Sequence, residues 1–542
     1  MYGYDYKKLK EYTQTEKGKA YVKYLEHWYN EHYANVPILA LNYSYAKLFH
    51  INGDRVKFQN MYFDRRKRLM VLQVLAVADD KYIEPLEEII SAICDEYTWV
   101  VPAHTHMGAI DLFAAETAMY LAETAYVMKD SLSKDILDRI YLSTKNKIVK
   151  IYENESFAWE KLMNNWMSVC GCGIGLTYLY LFPERFPLVK ARILNTIDCY
   201  KFALDREGYC NEGYSYWVYG FGFFCLFYEI YEQLTGERAE IIDSEIVKKT
   251  LQYGQNAILE GNVFLPFSDG GSKGEHDEAI LLTTIERMFD VNLYLNESEL
   301  FMPSSQALGY RVLAGLGRAH PPKEKKEETV YYQDSQVFIR QNGNYVFTVK
   351  GGHNDESHNH NDIGAFAIIR NGKQYIADIG VGEYTKQYFS EGRYELFPCS
   401  SLSHSVPIVD GQLQERGKLH CGEILRQEEK SITIDITKAY KKTGFKLQAE
   451  YLVDQEGVTV RYEYEGIQEK ITFRFVSFIE PKIVDGQAVI ADMVLANDLK
   501  LAPKIAKKDY AKYLGEPGVA YTVDYELVAT SEGDVNFSFK FQ

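Results

Sequence analysis

The hydrophobic period of this chain changes near residues 317–329, and that change limits its folds more than any other feature. Up to about residue 315, apolar residues recur at three- and four-residue intervals, as in "EPLEEIISAICDEYTW" and "DLFAAETAMYLAETAYVM". This is the period of amphipathic helices. "RIYLSTKNKIVKIYE", "SVCGCGIGLTYLYLF" and "YGFGFFCLFYEIYEQL" continue in the same manner. From Thr329 onward the period is two, in "TVYYQDSQVFIRQ", "NYVFTVK", "ITIDITKAY", "FKLQAEYLV", "VTVRYEYE" and "KITFRFVSF". Turn-forming "QNGN", "RNGK" and "DQEG" separate these runs. Helices on short polar connections pack as hairpins, and a toroid of such hairpins buries them; many short strands joined by turns make an antiparallel sandwich. The expected architecture is therefore α+β and multidomain. An α/α toroid covers 1–316, a linker 317–329 and an antiparallel β-sandwich 330–542. A chain of 542 residues also exceeds what one ordinary core organises.

Composition excludes several classes of function. Hydrophobic residues at 46% and charged residues at 25% belong to a globular protein. A net charge of −16 argues against nucleic acid as a partner, because phosphate binding needs a basic face. The one basic run, "PPKEKKEE", alternates with glutamates and reads as a solvated linker. No stretch approaches a membrane span. The start, "MYGYDYKKLKEY", has no apolar signal region, and eight scattered cysteines read as reduced thiols. A cytoplasmic location is expected, with a secreted or periplasmic one if a leader was removed. Forty-four tyrosines offer flat faces with hydroxyl edges, suited to stacking on sugars, although tyrosine also fills cores.

Three segments carry chemistry-bearing groups. In "ESHNHNDIGAFAII", residues 358–362 hold two histidines, two asparagines and an aspartate just before an apolar strand. In an extended segment His358 and His360 point to one side, roughly 7 Å apart. That is a metal-site spacing, or one in which a base sits beside a metal ligand; with Asp378 in "QYIADIGVGEY" and His404 in "SSLSHSVPIVDG", one Asp and two His match a zinc-type ligand set. The alternative is turn-capping Asn and Asp beside surface histidines. In "KLMNNWMSVCGCGIG", Asn164 and Asn165 precede an apolar helix, where capping alone accounts for them. In "DREGYCNEGYSYWVYGFGFF", Glu212, Tyr214, Tyr216 and Tyr219 crowd a turn before a helix. Residues 212, 216 and 219 share a face if that helix begins early. An aromatic stripe is more often core than site.

In this order, "NNW", "EGYSYW", "HNHND", "ADIGVGEYT", "RYE" and "SSLSHS" resemble the heparinase II/III-like polysaccharide lyases. That family includes heparin/heparan sulfate lyases and oligoalginate lyases. The resemblance runs from "WVVPAH" at 99–104 to the C-terminal strands, and it implies the same two-part fold. It implies that Asn165 neutralises a uronate carboxylate, that Tyr216 is the catalytic tyrosine and His358 the catalytic histidine. His360, Asp378 and His404 match ligands of a divalent metal, usually zinc, taken here as structural. Tyr384 and Arg393 match substrate-side positions, and Asn164 and Glu212 are further candidate substrate-binding residues in the segments above. Two departures stand out. Trp166 occupies a position where many relatives have histidine, leaving His104 as a substitute donor. Ser405 follows His404 where relatives often have asparagine.

The implied reaction is β-elimination at a 4-linked uronate, giving an unsaturated uronate at the new non-reducing end. The implied partner is an acidic oligosaccharide or polysaccharide, and a homo-oligomer is compatible with it. The acidic charge and absent leader favour short imported oligosaccharides. Two rival readings exist. A glycoside hydrolase needs paired carboxylates, for which Asp205, Glu212 and Asp269 are available. A glycan-binding protein of the same fold needs no catalysis.

Overall fold

The computed structural model describes residues 5–261, 263–270, 278–295, 300–528 and 531–542. It divides into two compact units. Met1–Ala203, Trp217–Lys248 and Glu275–Pro321 form the first; Leu204–Tyr216, Lys249–Gly274 and Pro322–Gln542 form the second. The first is an α/α toroid and the second an antiparallel β-sandwich, as the period change predicts.

In the toroid, helices buried nearly all round alternate with helices that bury one stripe. Val56–Ala78, Leu112–Val127 and Asn165–Leu181 are of the first kind. Each is followed by one of the second kind: Ile83–Cys94, Lys134–Thr144 and Phe186–Asp198. Ile83–Cys94, for instance, buries only Leu86, Ile89, Ile90, Ile93 and Cys94. Inner and outer helices of successive hairpins have this signature. Caps set several starts, with the Asp111 carboxylate accepting from the Ala114 N–H at 2.8 Å. A Cβ on Gly173 would lie 2.6 Å from the Ala115 backbone, so glycine at that position lets two inner helices touch. Interior charges are paired: Arg66 grips Glu96 through two bonds of 2.7 Å, and Arg311 meets Glu123 and the Tyr180 hydroxyl. Among the described residues no helix is long and apolar enough to cross a membrane. All of the cysteines are unpaired thiols.

The last described α-helix, Gly309–Gly315, and the first strand of the main sheets, Glu327–Tyr332, flank the run "LGRAHPPKEKK". A five-stranded meander follows, ending with Phe366–Arg370 and Lys373–Ile376. Among the described residues, an eight-stranded sheet, a four-stranded sheet and two two-stranded ribbons complete the unit. Alternation is regular: Gly457–Glu465 buries Val458, Val460, Tyr462 and Tyr464 and turns Arg461 and Glu463 outward. Phe347, Phe366, Tyr451, Phe473, Phe475 and Phe537, drawn from all three sheets, share one core.

Two segments from the helical stretch of sequence cluster with the strands. Asp205 accepts from the Ser335 hydroxyl at 2.6 Å, and Tyr209 packs on Tyr332 with ring centroids 5.2 Å apart. Ile258–Glu260 pairs with Val263–Phe264 as a short hairpin where helix was expected. These segments bring Glu212, Tyr216 and Asp269 into the second unit.

Candidate active site

The "HNHND" motif is a turn rather than the extended strand entrance its alternation predicts. It lies between the strands His353–Asn354 and Phe366–Arg370, and His358 adopts a left-handed conformation with φ 58°. The strand periodicity fails because side chains along 356–362 reach separate partners. Glu356 faces the buried ammonium of Lys350 at 3.9 Å, which also meets Asp362 at 3.0 Å. Ser357 donates to Glu212 at 2.8 Å, and the Asn361 amide donates to the Gln414 carbonyl at 3.0 Å. A set of unlike partners pulls the chain out of a regular strand.

His358 and His360 nevertheless converge, on the carboxylate of Asp269. His358 Nδ1 lies 2.7 Å from Oδ2, and His360 Nε2 lies 2.9 Å from Oδ1. Arg393 donates to both oxygens at 2.9 Å, and the Tyr388 hydroxyl and the Tyr384 hydroxyl, at 3.3 Å, complete the surround. The Asp269 side chain has no exposed surface. Burial alone would raise this carboxyl, but the Arg393 charge and the two imidazoles hold it well below the usual range.

Asp269 sits in a single 3-10 turn, Ser268–Gly270, placed by a close approach of two glycines. A Cβ on Gly213, whose φ is +107°, would meet the Gly270 Cα at 2.6 Å. The Ser215 hydroxyl donates to the Gly270 carbonyl, tying this turn to the start of the helix Tyr214–Thr235. Gly213→Ala is expected to destabilise the second unit by about 1–3 kcal/mol through overpacking. Strain at positive φ adds to that cost. Denaturant unfolding followed by tyrosine fluorescence would check it, and an unchanged midpoint would show that the turn can shift freely.

Tyr216, half-buried, is on the first turn of that helix. Its ring stacks on His358 with centroids 4.2 Å apart, and its hydroxyl is hydrogen-bonded to that of Tyr384. The Tyr384 hydroxyl also lies 3.5 Å from His358 Nδ1. Burial, reinforced by the Asp269 charge, pushes the Tyr216 phenol well up. His358 Nε2 points toward Glu212 at 3.9 Å, and the imidazole keeps 18% of its surface exposed. The helix begins at Tyr214, so Glu212 lies before it. The proposed common face of 212, 216 and 219 does not form: Tyr219 donates to Glu116 instead.

His360, Asp378 and His404 are buried and offer ligand atoms within 4.8 Å of one another. Among the described residues, His360 Nδ1 and His404 Nε2 have no hydrogen-bond partner. Asp378 accepts from His404 Nδ1 at 2.9 Å and from the Gly380 N–H at 3.0 Å. Two orphaned imidazole nitrogens beside a carboxylate fit a divalent cation that accepts nitrogen and oxygen donors. Ser405 lies outside this cluster, accepting from the Val476 N–H at 3.0 Å.

The remaining candidates belong to the toroid. The Asn164 side chain caps the helix Asn165–Leu181, accepting from the Trp166 N–H at 3.1 Å, and Asn165 is buried in its first turn. The His104 ring lies 5.1 Å from that of Trp166. His104 Nδ1 pairs with Asp111 at 3.0 Å, Arg55 approaches Nε2 at 3.4 Å, and burial holds the imidazole below its ordinary range.

Sequence reasoning considered Asp269 only as a hydrolytic carboxylate. Its partners lie 89 to 124 residues away, so no local pattern reveals them. Tyr388 was missed altogether, and its place between "GEYT" and "RYE" was the only local signal.

The fold is that of the toroid-and-sandwich polysaccharide lyases. Heparinase III superposes with a TM-score of 0.66 at 13% identity, over 99% of this chain and 91% of that one. A heparan sulfate lyase HepC mutant from Pedobacter heparinus gives 0.60 at 11% identity, over 89% and 77%. A chondroitin AC lyase from Streptomyces coelicolor A3, in complex with chondroitin sulphate, gives 0.60 at 9% identity, over 99% and 82%. No family model matches the sequence, and no curated protein matches it.

Proposed function

We propose that the protein is a polysaccharide or oligosaccharide lyase that cleaves 4-linked uronate glycans by β-elimination. The observation that carries this reading is the Tyr216 phenol stacked on the His358 imidazole, with Asp269 behind the imidazole. A base removes the C5 proton, the C4–O bond breaks, a C4=C5 double bond forms, and the leaving oxygen takes a proton. An imidazole that donates from Nδ1 to a carboxylate presents a lone pair at Nε2, which suits it to take the C5 proton. A phenol held protonated by its surroundings suits the leaving oxygen. The assignment is thus His358 as base and Tyr216 as acid. By the sequence resemblance, Asn165 is assigned to the uronate carboxylate, where an amide donates toward charge that grows in the transition state.

His360, Asp378 and His404 would hold a divalent ion, zinc by their donor types. When bound it supplies a fixed positive anchor for three buried residues, a structural role. Removing metal with a chelator is expected to lower the thermal midpoint of the wild type, and zinc to restore it. His404→Ala is expected to have the lower midpoint already and to respond to neither. Equal midpoints for chelated and zinc-loaded wild type would count against a metal here.

The hydrolytic alternative loses support because Asp269 is enclosed by donors and presents no oxygen to a sugar. The deciding experiment incubates the protein with a panel of uronate glycans and follows ultraviolet absorbance. An unsaturated product absorbs; new reducing ends without absorbance would mean hydrolysis, and neither signal on any glycan would mean binding alone.

A further inference from the structure

We propose that Asp269 is a positioning residue whose single carboxylate sets the ring orientation and tautomer of both His358 and His360. This deepens the lyase reading and rests on it for the role of His358. The contacts are made to opposite nitrogens: Oδ2 meets Nδ1 of His358 at 2.7 Å, and Oδ1 meets Nε2 of His360 at 2.9 Å. An ionised carboxylate only accepts, so each imidazole must carry its hydrogen on the nitrogen facing Asp269. In the neutral ring the lone pair of His358 is then on Nε2, on the side of Glu212. That of His360 is on Nδ1, the atom without a partner among the described residues, and His360 offers a ligand atom within 4.8 Å of those of Asp378 and His404. One acid therefore points one histidine toward substrate and its neighbour toward the ion.

Asp269 grips His358 at a second place. Its backbone N–H donates to the His358 carbonyl at 3.2 Å, at the residue whose φ of 58° is left-handed. A non-glycine residue persists in that conformation only where its surroundings hold it. Arg393 keeps the carboxylate ionised and stationary from behind, donating to both oxygens at 2.9 Å while Nε donates to the Asn359 carbonyl at 3.0 Å. Carboxylate–imidazole–metal chains of this kind orient ligands elsewhere. In this site one carboxylate would serve a ligand and a base together.

The test uses the full-length zinc-loaded protein with histidine labelled in carbon-13 and nitrogen-15. His358→Gln and His360→Gln identify the two resonances by their loss. In the wild type, His358 is expected protonated at Nδ1 and His360 at Nε2. Asp269→Asn, whose amide can donate, is expected to disturb both tautomers. It should also weaken zinc binding, read by dye competition, by about 10–100-fold. Its kcat should fall by about 10³–10⁴-fold, as when a buried aspartate behind a catalytic histidine becomes asparagine, with KM little changed. Wild-type tautomers opposite to these overturn the proposal, and so do tautomers and zinc affinity unchanged in Asp269→Asn. If Asp269→Asn does not fold, the wild-type spectrum decides alone. Should His358→Ala keep full turnover, the lyase assignment fails while the tautomer result stands on the spectra.

Discussion

Tyr216→Phe is expected to lower kcat on the true substrate by about 10²–10⁴-fold, the range that one positioned proton donor supplies. The change deletes a hydroxyl and leaves the ring, so the stacking on His358 at 4.2 Å should survive. What disappears is the phenol proton and the bond to the Tyr384 hydroxyl. Because burial and Asp269 hold the phenol protonated, the loss should fall on departure of the leaving oxygen. A substrate with a better leaving group at C4 should therefore recover part of the rate. Glycan affinity and the circular dichroism spectrum should stay near wild type. Turnover within about threefold of wild type would remove Tyr216 from the chemistry, since a general acid or base contributes far more.

Arg393→Ala has the largest expected effect on stability. It takes away the guanidinium that donates twice to a carboxylate with no exposed surface and packs 4.2 Å over the Tyr388 ring. Stripping one partner from a buried pair costs about 3–5 kcal/mol, because the remaining charge has no water to turn to. Activity should fall as well, because Asp269 would then be free to move or to take up a proton. Arg393→Ala with Asp269→Asn removes both charges and should cost less than the sum of the two single changes, the sign of direct coupling. Denaturant melts of the four proteins measure that coupling. An Arg393→Ala melt indistinguishable from wild type would show that the pair contributes nothing to the unit.

These effects separate the local from the long-range part of the site. His358, His360, Asp378, His404 and Tyr216 were legible because each sits in a short segment of unusual composition. Their ordering also resembled a known family. The turn at 356–362 was not legible: the residues alternate as in a strand, and only their partners, Glu212, Asp269, Lys350 and Gln414, draw them out of one. Asp269 was visible as an acid but not as a hub, since Arg393, Tyr388 and both imidazoles reach it across the fold.

By itself the sequence determined the two-part architecture. Hydrophobic period is a local property, repeated over many turns and strands, and each repeat votes for the same element. Only the tertiary structure decided that 204–216 and 249–274 cluster with the strands. It alone decided that one buried carboxylate faces two histidines through different nitrogens. Hydrogen bonds and ion pairs act over a few ångströms, and residues 89 to 124 positions apart come that close only once the chain has folded.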